Sequence, residues 1–243
     1  RAEIAGGSVL GPELLTSGAI LDGAPPLIPL ISRGVATPDE ARQAVRDQVA
    51  AGSDFIKVYS TLAADVFAAI VDEAHALGLK VAGHVPDSVP IDEAAIAGLD
   101  SVEHFFGFDK LVGRLLGAPV RQAYAGMGAD AGFFARLGEL DPADLSRALA
   151  SLRASGLAVC PTLVTFKVGV QTKLYQSGTF SGSDLVSGEL LGMWRSLWAG
   201  QDDLEAFIWE RWAKFVVALH DAGVPLMVGT DLSVPGVFPG LSV

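Results

Sequence analysis

Ala76-Leu77-Gly78-Leu79-Lys80-Val81-Ala82-Gly83-His84 is the stretch whose reading decides the fold. It closes an alanine-rich helical pattern on a glycine, then runs through a short apolar segment to one polar residue. Glycine just past a helix end takes the left-handed conformation that stops the helix. A short apolar or β-branched run is how a parallel strand buried on both faces reads. The stretch therefore predicts helix, turn and strand, with His84 at the strand's carboxyl end.

The same unit recurs on both sides of it. Ala50-Ala51-Gly52 precedes Asp54-Phe55-Ile56-Lys57-Val58-Tyr59, and Ile96-Ala97-Gly98 precedes Ser101-Val102-Glu103-His104-Phe105. Further on, Ala154-Ser155-Gly156 precedes Ala158-Val159-Cys160-Pro161-Thr162, and Asp221-Ala222-Gly223 precedes Leu226-Met227-Val228-Gly229-Thr230-Asp231. Helices are predicted over 37–51, 63–77, 91–97, 142–155 and 204–222, with Pro38 and Pro142 where a first helical turn tolerates proline. Alternating helix and strand gives either a doubly wound sheet or a closed barrel.

The placement of polar residues separates the two. Counted from the helix-ending glycine, Lys57 lies five residues on, His84, His104 and Thr162 each six, and Asp231 eight. All fall late in their strands, and in a (β/α) barrel the active site collects where several strands end. A doubly wound nucleotide-binding sheet calls instead for a glycine-rich phosphate loop, and neither GxGxxG nor GxxxxGK[ST] occurs. The barrel is the reading adopted. Two long connections, 106–141 and 167–203, are of a length that suits binding loops or lids as well as simple decoration.

Composition narrows the partners. The chain has 243 residues, half of them hydrophobic, which suits one α/β barrel better than two small domains. A formal charge of −11 argues against nucleic acid, whose binding needs clustered Lys and Arg. No apolar stretch approaches a membrane span. Cys160 is the single cysteine, excluding an intrachain disulfide and any multi-cysteine zinc site. A small-molecule or dipeptide-like partner is favoured. Compartment and oligomeric state are left open, a homo-oligomer included, and no leader is recognised at Arg1.

A divalent ion that activates water needs imidazoles and carboxylates converging on it, with one position open. His84, His104 and Asp231 supply those types at equivalent strand ends. Singly, each has an ordinary structural explanation as a hydrogen-bonded core histidine or a turn cap; three together favour a metal site. Lys57, in a strand expected to be buried, either snorkels to the rim, pairs with Asp231 or Glu103, or is chemically neutralised. His75 and His220 sit on helices and read as surface residues. Glu103 either lies on the strand face opposite His104 or turns into a helix-facing hydrogen bond, and reads as structural with room for a supporting role behind the ligands.

Four segments carry a resemblance: Ile56-Lys57-Val58-Tyr59, Val81-Ala82-Gly83-His84-Val85-Pro86, Ser101-Val102-Glu103-His104 and Val228-Gly229-Thr230-Asp231. In order and spacing they resemble the amidohydrolase superfamily, in the imidazolonepropionase-like branch that also includes prolidases. Gly11-Pro12-Glu13-Leu14-Leu15-Thr16-Ser17-Gly18 is similar to the third-strand motif of those enzymes, with Glu13 where arginine is usual.

The resemblance implies a TIM-barrel, (β/α)8 fold, present here as an incomplete barrel of about strands 3 to 8. Residues 1–243 would form one barrel domain lacking the first two strands, their His-x-His pair and the flanking β-sandwich. It implies that Lys57 is a carboxylated metal bridge, that His84 and His104 bind the second metal, and that Asp231 binds metal and moves protons. The expected cofactor is zinc, two ions in the complete enzyme. The expected chemistry is hydrolysis of a C–N bond of an amide or peptide by metal-activated hydroxide, with Tyr59 touching substrate. The alternatives are a mononuclear cyclic-amide hydrolase, in which Lys57 stays an amine, and a non-catalytic barrel fragment used for binding.

Overall fold

The computed structural model describes residues 1–117, 136–169, 172–177, 180, 182–199, 206–232 and 236–237. The chain divides into two compact units, Arg1–Ser101 and Val102–Val243.

The first unit alternates helix and strand as the repeated glycines require. It contains α1 (Ala2–Ala5), β1 (Ile20–Asp22), β2 (Ser32–Gly34), α2 (Pro38–Ala50), β3 (Phe55–Val58), α3 (Ala64–Ala76), β4 (Lys80–Gly83) and α4 (Ile91–Ala97), and reaches the first residue of β5 (Ser101–Glu103). Thr37 caps α2, its hydroxyl accepting from the Glu40 N–H at 3.3 Å, while the Glu40 carboxylate accepts from the Ala36 N–H at 2.8 Å. Pro38 takes the first helical position.

Strands β1, β3 and β4 are parallel neighbours, with Lys57 opposite Ala82 and Val58 opposite Gly83. Alternation along β3 sends Ile56 and Val58 into the core and leaves Lys57 half-buried on the other face. Helices α2 and α3 cover this core with Ala41, Ala44, Val45, Val66, Phe67 and Ile70. The end of β1 is fastened by Asp22, which is fully buried. One carboxylate oxygen accepts from the Thr61 N–H at 2.9 Å and the Thr61 hydroxyl at 2.7 Å, and the other from the Leu27 N–H at 2.9 Å.

The second unit carries the rest of β5, then α5 (Phe108–Leu115), α6 (Pro142–Ser155), β6 (Ala158–Cys160), α7 (Leu163–Gly169), α8 (Thr172–Ser177), α9 (Gly188–Trp198) and α10 (Ala206–Asp221). Phe105, Phe108 and Phe215 pack edge-on or tilted, with ring centroids 5.2 to 6.0 Å apart. Trp212, Leu219, Leu149 and Leu152 are buried as well. Within the first unit the strand order is β2-β1-β3-β4.

All five helix-ending glycines, Gly52, Gly78, Gly98, Gly156 and Gly223, have φ between +74° and +104°. Three details differ from the sequence reading. No strand occupies the Gly11–Gly18 motif; the first strand begins at Ile20, and its edge partner β2 has no apolar run to announce it. The last apolar run makes a single parallel bridge, Val159 to Leu226, instead of a strand. There the Val159 N–H donates to Pro225 and the Met227 N–H to Val159, after which the backbone turns away. The long connections hold helices: α5 lies in the first, where Phe108, Leu111 and Val112 recur at helical spacing and are buried. In the second, Ser187 caps α9. The middle of the first connection, 118–135, lies outside the described residues, so the lid reading there is not addressed. Among the described residues, no helix is long and apolar enough to cross a membrane.

Candidate metal centre

At the end of β4, Gly83 brings the chain against β3, and the next residue, His84, donates its backbone N–H to the Val58 carbonyl at 3.1 Å. Its buried imidazole has Nδ1 3.0 Å from the Ser60 hydroxyl. The Tyr59 ring stacks on it with centroids 4.0 Å apart and planes 26° from parallel. Tyr59 and Ser60 thus fix the histidine from the end of β3. Tyr59 follows Lys57 by two positions, and Lys57 stands on the half-buried face of that strand.

In the second unit, β5 ends at Glu103, and His104 departs from strand geometry with φ +59°. Its N–H donates to the Cys160 carbonyl at 3.2 Å, which ties it to β6. Nδ1 lies 2.5 Å from the hydroxyl of Thr162, a residue 4 % exposed. The ring's other nitrogen, Nε2, lies 3.9 Å from Oε2 of Glu103 and 3.8 Å from Oδ2 of Asp231. Asp231 is the most open of the three, its side chain 40 % exposed.

These separations test whether the residues suit a cation. At 3.8 and 3.9 Å, nitrogen and carboxylate oxygens are too far apart for a good hydrogen bond. In a tetrahedral zinc site such donors lie about 3.4 Å apart, so these separations are slightly wider than, and compatible with, two ligands of one ion. Within the second unit, Glu103, His104 and Asp231 supply nitrogen and oxygen donors of the kind a divalent ion takes.

Glu103 corrects the sequence reading, which turned it away from His104. Alternation applies only while both residues are extended; at φ +59° His104 has left the strand, and its ring swings to the carboxylate's side. Its signal in the sequence was adjacency to a strand-end histidine. Ser60 and Thr162 are the other residues that gain a place at the site. Thr162 was visible as a strand-end hydroxyl, whereas nothing marked Ser60. Backbone strain concentrates here too. Among the described residues, the non-glycine positions with positive φ are His104, Phe105, Thr162 and Asp231, at +59°, +63°, +44° and +53°. Such conformations cost about 1–3 kcal/mol each and gather at functional sites.

His75 and His220 are on the surface, as expected. His75 pairs with Asp100 at 2.9 Å, and His220 lies 3.4 Å from its neighbour Asp221.

No family model matches the chain, and no curated protein matches it. Solved structures do. A structure described as bottromycin amidohydrolase is 27 % identical with a TM-score of 0.60, over 90 % of this chain and 46 % of its own. A prolidase complexed with N-methylphosphonate-L-proline is 20 % identical with a TM-score of 0.56, over 95 % of this chain and 51 % of its own. A Xaa-Pro dipeptidase with methionine bound in its active site is 17 % identical with a TM-score of 0.53, over 95 % of this chain and 50 % of its own. This chain spans about half the length of each.

The alternation of helices with parallel strands is thus that of an amidohydrolase-type α/β barrel fold, present in part. Within that fold, the likeness at 27 % identity over 90 % of this chain is to an amidohydrolase.

Proposed function

We propose that this chain is part of a metal-dependent hydrolase that cleaves the C–N bond of an amide or a short peptide, and that residues 1–243 belong to one barrel domain. The observation that carries the reading is the surroundings of His104, whose Nε2 lies within 4 Å of two carboxylates while Nδ1 is held from behind.

His84, His104 and Asp231 would hold the metal, with Glu103 beside them and Lys57, once carboxylated, as a bridge between two ions. Zinc suits this set of nitrogen and oxygen donors. The bound metal supplies Lewis acidity toward the scissile carbonyl and lowers the pKa of water. Asp231, more exposed than Glu103, would take a proton from the attacking water and pass it to the leaving amine. Tyr59, stacked on His84, would touch substrate. A prolidase and a Xaa-Pro dipeptidase among the similar structures favour a dipeptide-like substrate.

A mononuclear version is the second reading. In it Lys57 stays an ordinary amine and a single ion is held. Elemental analysis of the zinc-loaded chain and intact mass spectrometry separate the two. Two ions and a mass increase of one CO2 are expected; one ion with an unmodified lysine selects the mononuclear form. Asp231→Asn is expected to lower turnover of a Xaa-Pro dipeptide panel by at least about a hundredfold while the far-ultraviolet dichroism stays the same. Unchanged turnover would remove Asp231 from the chemistry.

A further inference from the structure

Thr162 is an unusual residue for its backbone. A β-branched side chain at φ +44° is disfavoured by contacts with its own carbonyl, and such residues rarely adopt it. The Thr162 carbonyl accepts from both the N–H and the hydroxyl of Thr165, at 3.0 and 2.8 Å, which pins the turn that creates this conformation. The pinned turn puts the Thr162 hydroxyl 2.5 Å from His104 Nδ1, and both residues lie largely out of water. His104 is itself strained, at φ +59°, so the contact joins two backbones each held away from its preferred conformation.

We propose that Thr162 is a positioning residue that sets the tautomer and aim of His104. Neutral imidazole carries one proton, and the nitrogen without it is the one that can bind a cation. In the proposed tautomer Nδ1–H donates to the Thr162 hydroxyl, 2.5 Å away, which leaves the Nε2 lone pair on the side of the Glu103 and Asp231 carboxylates. With the opposite tautomer, Nε2–H would point at two carboxylates too distant for a good hydrogen bond, and no lone pair would face the site. A buried hydroxyl behind a histidine plays the part that a carboxylate or carbonyl more often plays behind a ligand. The proposal rests on the metal reading for its purpose, but the tautomer itself does not require a metal.

The test is nitrogen-15 NMR of histidine-labelled chain, first without metal and then titrated with zinc. In the unsubstituted chain His104 should show a protonated Nδ1 and an unprotonated Nε2. Thr162→Ser keeps the hydroxyl and should keep that pattern. Thr162→Val keeps the branched shape and should shift His104 toward the Nε2–H form, with zinc affinity weakened about tenfold to a hundredfold. A His104 already protonated on Nε2 in the unsubstituted chain, or a Thr162→Val chain with the same tautomer and the same zinc affinity, overturns the proposal. A chain whose His104 has the expected tautomer yet does not respond to zinc overturns the metal reading and upholds Thr162 as the residue that sets the ring.

Discussion

A β-carbon on Gly83 would stand 2.2 Å from the carbonyl oxygen of Val58 and 3.0 Å from its amide nitrogen. Strands β3 and β4 are thus closest just before His84, and Gly83 has φ +136°, where side chains are rarely accommodated. Gly83→Ala must push the strands apart and disturb the His84 N–H bond to Val58. The expected loss is about 2 kcal/mol or more in denaturant unfolding, with the Tyr59 stacking on His84 altered in aromatic NMR shifts. A variant as stable as the parent would show that the two strands can yield without penalty.

Zinc should stabilise the folded chain through His104. A ligand that binds only the folded state raises stability by about 2.7 kcal/mol at a hundred times its dissociation constant. The midpoint of thermal unfolding is therefore expected to rise with added zinc and fall back on chelation. In His104→Ala the zinc-dependent rise should be lost, because Nε2 is the nitrogen that faces both carboxylates. An equal rise in that variant would place the ion elsewhere.

Asp100 gives the chain a defined acid sensitivity. Burial alone would raise its pKa, but hydrogen bonds from Lys80 and His75 and from the Val81 N–H outweigh it and hold the carboxyl below its ordinary value. Asp54 is lowered as well, by the Thr16 N–H and then by Arg1. A carboxylate whose pKa is lower in the folded state adds stability that is complete above its unfolded value, about 3.9, and is lost as pH falls through the folded value. Unfolding free energy should be level toward neutral pH and decline below roughly pH 4. In Asp100→Asn that decline should be shallower. Equal slopes in the two chains would show that the Asp100 contacts do not act in solution.

The aromatic cluster of the second unit should carry much of its stability. Phe215 meets Phe105 at 5.6 Å and Phe108 at 5.2 Å, and Phe105 is the residue directly after His104. Phe215→Ala is expected to cost about 3–5 kcal/mol. It should also broaden the His104 ring resonances, because the backbone at Phe105 loses its packing. A loss below about 1 kcal/mol, with His104 unchanged, would mean that the cluster does not brace the site.

The helix and strand frame was legible because each unit carries its own punctuation. A glycine ends every repeated helix, and Thr37, Asp141 and Ser187 cap helices by side-chain contacts only a few residues long. The histidines and Asp231 stood out because a polar residue at the end of an apolar run is rare. What stayed hidden was non-local or broke the local rule. Strand β2 is three half-buried residues whose only reason to be extended is β1. The run after Gly223 has strand composition yet makes one bridge, since pairing depends on a partner that composition does not name. Glu103 was turned the wrong way because alternation was extended one residue past the point where the chain leaves the strand.

The left-handed backbones at His104, Thr162 and Asp231 also bear on how this molecule would respond to engineering. Glycine or asparagine at any of the three would relax the backbone and raise resistance to heat, while deleting the histidine, the hydroxyl or the carboxylate there. A library sorted for thermal survival alone should therefore drift toward inactive chains at these three positions first. Sorting must be coupled to catalysis if robustness is to be gained elsewhere in the fold.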